Sequence, residues 1–479
     1  MNARQEPVIE NAGIVMKEAF EQQRQAFLAH PYPSLKERKQ MLLALKKSLL
    51  KHQDRLVKSL AADFSHRSED DTLLADFMPS IMGIKYALSN LKRWMKPEKR
   101  HVGILFQPAR ARIEYQPLGV VGIIVPWNYP IYLSIGPLVT AIAAGNRAML
   151  KLSEFTPYTN RILKEVIAEA FDSTEVCVIE GEADIAAQFS ALPFDHLLFT
   201  GSTAVGKHVM RAAANNLTPV TLELGGKSPV IIAEDMDIDG AVERLMYGKC
   251  LNAGQTCIAP DYVLCQEGKA QDVVKAFQNH FAAMYPSIKD NKDYTAIINE
   301  RQYERLQAWI EEAKAAGCDV IAINPANETF DNSQRKMPMH LVVNPPENIA
   351  ISSEEIFGPI LPVFTYSSIQ DAVKFVQQRP RPLALYLMSH NKKTQDYVMK
   401  HTHAGGICLN DSINHIAQDD LPFGGVGPSG MGHYHGIEGF KTFSKAKSVL
   451  IKGRFNSAKL AFPPYGRWIH KLIYKLYLR

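Results

Sequence analysis

Cysteine is scarce here: six residues (Cys177, Cys250, Cys257, Cys265, Cys318 and Cys408) in a chain of 479, with no C-x-x-C pair. That excludes a disulfide framework, and no metal is implied. The opening "MNARQEPVIENAG" lacks the apolar stretch of a secretory leader, so a reducing, cytoplasmic setting and free thiols are expected. There is no internal repeat and no low-complexity linker. Acidic residues are absent beyond Glu438, where ten Lys and Arg occur. Without those ten, the remaining 44 basic residues are outnumbered by 49 acidic ones, so the net charge of +5 is a property of the tail. This argues against nucleic-acid binding by the body. Charge of either sign is missing from residues 115–146, a run long enough to cross a bilayer. Pro117, Pro126, Pro130 and Pro137 would interrupt a single helix there, so the run is expected to be a buried strand, a turn at "PWNYP" and a buried helix.

Hydrophobic residues make up 46% of the chain, enough for two or three domains with a large interior. Residues 9–96 carry helical periodicity without a clear strand. "VGILFQPARARIEYQPLG" alternates around a Pro-Ala-Arg turn, which predicts a two-stranded hairpin suited to a subunit contact. From residue 118, strand and helix patterns alternate through "PVTLELGG", and a second alternating block runs from "SPVIIAEDMD" to "AGGICLND". The expected class is therefore α/β, with two doubly wound parallel sheets whose ligands sit at the carboxyl ends of the strands.

Two glycine motifs look stronger than they are. "GVGPSG" (Gly425, Gly427, Gly430) fits a dinucleotide fingerprint, yet Pro428 interrupts it and no βαβ unit follows. "GSTAVGKH" nearly fits a phosphate loop, but His208 stands where Ser or Thr would hold magnesium. As the end of a strand and the start of a helix, however, Gly201, Ser202 and the first helical N–H groups could face a phosphate; an ordinary helix capped by Ser202 or Thr203 is the alternative.

Chemistry concentrates around "NAGQTCIAPD", where Cys257 stands among small and polar residues rather than in an apolar stripe. A buried, inert cysteine is the commoner situation, but this setting suits a nucleophile. Glu223 lies between Leu222 and Leu224 just before Gly225 and Gly226, as a general base raised by burial would; a surface-facing strand residue is the plainer reading. Asn128 of "PWNYP" could donate to an oxyanion or simply belong to a turn.

The order "PWNYP", "MLKLSE", "FTGSTAVG", "LELGGKS", "GQTCIAPD", "EEIFGP", "PFGGVGPSGMG" resembles the aldehyde dehydrogenase superfamily over residues 10–450. "NAGQTCIAPDYVL" and "LNDSINHIAQDDLPFGGVGPSGMGHYHG" resemble its class 3 branch, most of all the coniferyl aldehyde dehydrogenases. The resemblance implies an NAD-binding domain (residues 1–98 and 118–222), a catalytic domain (223–410), oligomerisation segments (99–117 and 432–450) and a basic amphipathic tail (451–479). It implies Cys257 as nucleophile, Glu223 as the base that deacylates it, and Asn128 with the Cys257 N–H as oxyanion donors. Lys151 and Glu154 would meet the adenine ribose, Gly201 and Ser202 the pyrophosphate turn, Glu355 and Phe357 the nicotinamide ribose and ring, with Trp127 beside the cofactor and Val205 also among the cofactor-binding residues. Tyr434 stands where many relatives outside class 3 have a glutamate.

The implied reaction oxidises an aldehyde to its acid with NAD, NADP also being accepted, in a homodimer. Transfer to coenzyme A is disfavoured because Glu223 is present. A carboxylate-bearing substrate is disfavoured because the nucleophile turn offers only Lys249, outside it, so an aromatic or medium-chain aldehyde is expected, with a general aliphatic aldehyde as the alternative. A phosphate-loop nucleotidase and a non-catalytic protein on the same fold remain as readings from other classes. In the tail, Ile469, Leu472, Ile473 and Leu476 share one helical face and Arg467, Lys471, Lys475 and Arg479 another, which suits either a peripheral membrane contact or docking on protein.

Overall fold

The computed structural model describes residues 6–454 and 456–478, with backbone alone for 6–12; Arg479 of the expected basic face lies outside the described residues. The helical preface is present as Glu6–Ala29, Leu35–Asp63 and Met78–Trp94. Ser34 starts the second of these with a reciprocal capping box to Glu37. Between the second and third helices the chain adopts a π turn over Leu73–Phe77, a rare geometry that is frequent at functional sites.

Residues 115–146 form no membrane span. They supply the fully buried strand Val120–Ile124 and the buried helix Tyr132–Ala144, and no helix among the described residues is long and apolar enough to cross a membrane. Val120–Ile124 lies inside a six-stranded sheet ordered Gly430–Met431, Val220–Leu224, His196–Gly201, Val120–Ile124, Arg147–Lys151, Val176–Ile179, parallel except for the first pair. A seven-stranded sheet follows, with Pro229–Ile232 between Tyr262–Gln266 and Ala384–Met388, and only its edge strand Asp319–Ile323 antiparallel. β-branched and aliphatic runs bury the inner strands of both sheets on their two faces, as parallel sheets require.

The expected hairpin needs correction. Glu98–Arg100 does pair antiparallel with Arg110–Pro117, but over three residues only, and the connection is a nine-residue excursion rather than a Pro-Ala-Arg turn. The main partner of Arg110–Pro117 is Ser444–Ile451, in register along its whole length, so the arm is a three-stranded sheet. "GVGPSG" is likewise no nucleotide loop. Gly427 and Gly430 close a tight turn that sets Gly430 against Glu223.

Candidate active site

The chain leaves the helix Ile238–Cys250 through three consecutive left-handed residues, Asn252 (φ 52°), Ala253 (φ 50°) and Gly254 (φ 76°). Asn tolerates that region, and Gly254 is required: a Cβ there would lie 2.5 Å from the Gly358 carbonyl oxygen. Gln255 then locks the turn, its amide donating to the carbonyls of Asn252 (2.9 Å) and Ala296 (3.0 Å) while its side-chain oxygen accepts from the Ile298 N–H (3.0 Å). This rigid turn presents Cys257 to two cavities. Burial pushes its thiol up to about 12, and the carboxylates of Glu355 and Glu223 add to that. A thiol so placed is protonated at rest and needs a proton acceptor.

Glu223 sits near the carboxyl end of Val220–Leu224, only 3% exposed, so the surface-facing alternative is excluded. Neither carboxylate oxygen has a hydrogen-bond partner, and burial holds its pKa well above the ordinary carboxylate range. Asn128 lies in the turn after Val120–Ile124 and is tied to the Cys257 turn from both ends: its side-chain amide donates to the Gln255 carbonyl (3.2 Å), and its backbone carbonyl accepts from the Asn252 amide (3.2 Å). The same carbonyl accepts from Arg67 Nη1 (2.5 Å), whose guanidinium lies between the Phe64 and Tyr129 rings and 3.9 Å from Asp76.

Cys257, Glu223 and Asn128 share a cavity of about 250 Å³ with Trp127, Gly201, Ser202, Glu355 and Phe357. Phe357 is held at φ 51°, edge-on to Trp127 with ring centroids 5.3 Å apart. Glu355 accepts from the Gly226 N–H (3.0 Å), and Gly225 must lack a side chain because a Cβ would collide with the Glu355 carboxylate. The loop is anchored from beneath: Lys227 bonds Asp261 (2.6 Å) and the Glu354 carbonyl (2.8 Å), and Asp261 accepts from the Ile356 N–H (3.0 Å). Burial lifts Glu355 to about 8. Ser202 caps the helix Thr203–Ala214, accepting from Val205 N–H (3.4 Å).

Lys151, Glu154 and Val205 do not line that cavity. Lys151 is buried at the end of its strand, donating to the Leu152 carbonyl (2.7 Å) and lying 3.9 Å from Glu154, while Val205 is exposed on the first turn of its helix. A second cavity of about 120 Å³ opens on the other side of Cys257. Leu74, Tyr129, Tyr132, Tyr247, Ile413 and Ile416 form much of its wall, and none of its lining side chains is charged.

The family model described as "Aldehyde dehydrogenase family" matches residues 12–449. The chain belongs to the aldehyde dehydrogenase family. This aldehyde dehydrogenase is 54% identical over 460 residues to the "Probable coniferyl aldehyde dehydrogenase" of Pseudomonas aeruginosa, covering 96% of each chain. Among solved structures it superposes on the substrate-bound state of Staphylococcus aureus AldH with a TM-score of 0.90 at 36% identity, covering 97% of this chain and 99% of that one. It also superposes on a Mycobacterium tuberculosis aldehyde dehydrogenase complexed with NAD+, with a TM-score of 0.83 at 27% identity, covering 93% and 91%.

Several residues in or beside the larger cavity are given no part in the site by their own residue patterns. Thr200, Gln302 and Arg305 line the larger cavity; Gln302 and Arg305 come from the amphipathic helix Glu300–Ala315, where they read as solvated positions. Tyr434 is fully buried with an unpartnered hydroxyl in surroundings shared with Glu223 and Cys257. It sits in a glycine-rich loop whose pattern predicts only turns.

Proposed function

We propose that this aldehyde dehydrogenase oxidises an aromatic or medium-chain aldehyde of the coniferyl aldehyde kind to its carboxylic acid, through a thioester on Cys257. The observation that carries the reading is the position of Cys257 between two unlike cavities, one polar and glycine-lined and one apolar and uncharged. An apolar, tyrosine-rich wall suits an uncharged substrate, and the P. aeruginosa relative is named for a phenolic aldehyde. A general aliphatic aldehyde is the second reading, favoured by the Leu74, Ile413 and Ile416 part of the wall.

The polar cavity fits a dinucleotide. Gly201 and Gly225 line it, the capped start of Thr203–Ala214 suits a pyrophosphate, and Glu355 and Phe357 with Trp127 would hold the nicotinamide ribose and ring. Lys151 and Glu154 would hold the adenine ribose, and Val205 would flank the adenine end of the groove. Glu154 accepts from a 2′-hydroxyl and repels a 2′-phosphate, so NAD is preferred, with NADP accepted less well. NAD, when bound, supplies the hydride acceptor.

The chain's own residues do the rest. The Cys257 thiolate attacks the aldehyde carbon to give a thiohemiacetal, and the Asn128 amide and the Cys257 N–H receive the charge on oxygen, each such donor lowering the barrier by on the order of 3 kcal/mol. Oxidation leaves an acyl thioester. Glu223, buried without a partner and raised, takes a proton from the water that hydrolyses it. The acid departs and the thiol is restored. The six cysteines that the structure leaves unpaired suit a reducing cytoplasm. The three-stranded arm, with an exposed edge at Leu450 and Ile451, would hold two subunits as a homodimer.

The test follows the absorbance of reduced cofactor with coniferyl aldehyde, octanal and a semialdehyde, with NAD and with NADP. The reading expects fastest turnover with coniferyl aldehyde and NAD. Preference for the semialdehyde would contradict an uncharged pocket.

A further inference from the structure

The helix Trp468–Tyr477 does not bury its apolar face as one unit. Ile469 and Ile473 are half-buried and His470 is buried against Tyr465 and Tyr474, so that side rests on its own chain. Trp468, Leu472 and Leu476, four residues apart, form a separate outward row that is 75%, 43% and 66% exposed. Lys471 and Lys475 run beside this row, both exposed. Arg467, expected on the basic face, is used otherwise: its guanidinium donates to the carbonyls of Lys459, Leu460 and Phe462 and clamps the helix to the turn Ser457–Ala461.

That turn also packs against the connection Ile104–Phe106 at the tip of the arm, where Ile104 and Phe106 are exposed as well. Leu460 and Phe462 in and after that turn are exposed too, and Lys452, Arg454 and Lys459, close to it in the chain, are exposed as well. No acidic residue follows Glu438 anywhere in the chain. An outward row of Trp and Leu flanked by lysines, with no carboxylate nearby in sequence, is complementary to an anionic lipid surface rather than to a mixed-charge protein face.

We propose that the helix Trp468–Tyr477, with the turn Ser457–Ala461 and the arm tip Ile104–Phe106, docks this enzyme peripherally on an anionic bilayer. Trp468, Leu472 and Leu476 enter the headgroup boundary while Lys471 and Lys475 meet lipid phosphates. The helix is too short to span the bilayer, so binding is reversible and weakens with salt. The proposal does not depend on the substrate reading, because it is read by lipid binding alone.

The test sediments the full chain with vesicles of phosphatidylglycerol and phosphatidylcholine, against a chain ending at Pro463, the pair Leu472→Glu/Leu476→Glu and the pair Lys471→Gln/Lys475→Gln. The full chain should pellet with the anionic vesicles, lose that binding as salt rises, and lose it on truncation or in the leucine variant. The lysine pair should bind roughly thirtyfold more weakly, at about 1 kcal/mol per lysine. Unchanged NAD-linked turnover in all variants shows that they fold. Failure of the full chain to pellet, or equal pelleting of the truncated chain, would overturn the proposal. So would dissociation of an oligomer on truncation with lipid binding unaltered, which would make a second copy the occupant.

Discussion

At the scale of single residues, the two groups proposed to react, Cys257 and Glu223, are both pushed away from ionisation by the same burial. Burial raises Cys257 to about 12 and Glu223 well above its ordinary value, which disfavours the charged form of each. Removing the thiol by Cys257→Ala should abolish cofactor reduction, to below about a thousandth of wild type in a steady-state assay. The pH profile follows from the sign of the Glu223 shift. Deacylation needs the carboxylate, so turnover should fall as pH drops through a pKa well above the ordinary range near 4.5. Stability runs the opposite way: the folded state holds this proton more tightly than the unfolded chain, so the Glu223 contribution is present at low pH and lost as pH rises through the folded pKa. Glu223→Gln should therefore raise the melting temperature, and by more at alkaline than at acidic pH; an equal shift across the range would show that Glu223 is not protonated when buried. Cys257 could be picked out in the sequence by its small, polar neighbours, and Glu223 by the leucines on either side. Tyr434 is picked out only by its place in the family motif, because a lone tyrosine among glycines has no periodicity to read, and its burial beside Glu223 is a product of the tertiary fold alone.

Elements position these residues through a few buried polar ties. The π turn Leu73–Phe77 aims Asp76 inward, where it accepts from the Tyr132 N–H (2.5 Å) and faces Arg67, which in turn holds the Asn128 carbonyl. Burial raises Asp76 to about 6 against the pull of Arg67. Arg67→Met should leave that carboxylate without its counter-charge and cost about 3–5 kcal/mol in denaturant unfolding, whereas Arg67→Met with Asp76→Asn should recover much of the loss. Additive losses in the double variant would show that the pair is not coupled. Gly254→Ala tests the Cys257 turn, where φ is 76° and the Gly358 carbonyl is too close for a methyl. It should lower kcat by at least tenfold through displacement of Cys257, with a KM change too small to account for it; unaltered kcat would mean that the turn relaxes freely. The alternation of strands and helices after residue 118 shows in the sequence because each element carries its own period. The arm does not show in the same way: the strand that pairs most fully with Arg110–Pro117 lies more than 300 residues later, and local alternation says nothing about which edge it joins.

For the whole molecule, the two cavities come from bringing together segments far apart in sequence: the helical preface supplies Leu74 to the apolar wall, the first sheet and its loops Glu223 and Asn128, the second block Cys257 and Glu355, and the late chain Ile413 and Ile416. That convergence is why the motifs were legible and the pocket was not. Each motif is contiguous, whereas the apolar wall is assembled from side chains that individually read as core. If the arm joins two subunits, Leu450→Asp should shift light scattering toward the monomer with the fold retained; an unaltered dimer would place the contact elsewhere. The central claim is that Cys257 carries the acyl group and Glu223 removes it. Intact-protein mass spectrometry of the Glu223→Gln enzyme, mixed with NAD and coniferyl aldehyde, tests this most directly. The account predicts one equivalent of reduced cofactor, then arrest, with a single acyl adduct on the peptide containing Cys257. Sustained turnover of that variant with no adduct on Cys257 would contradict it.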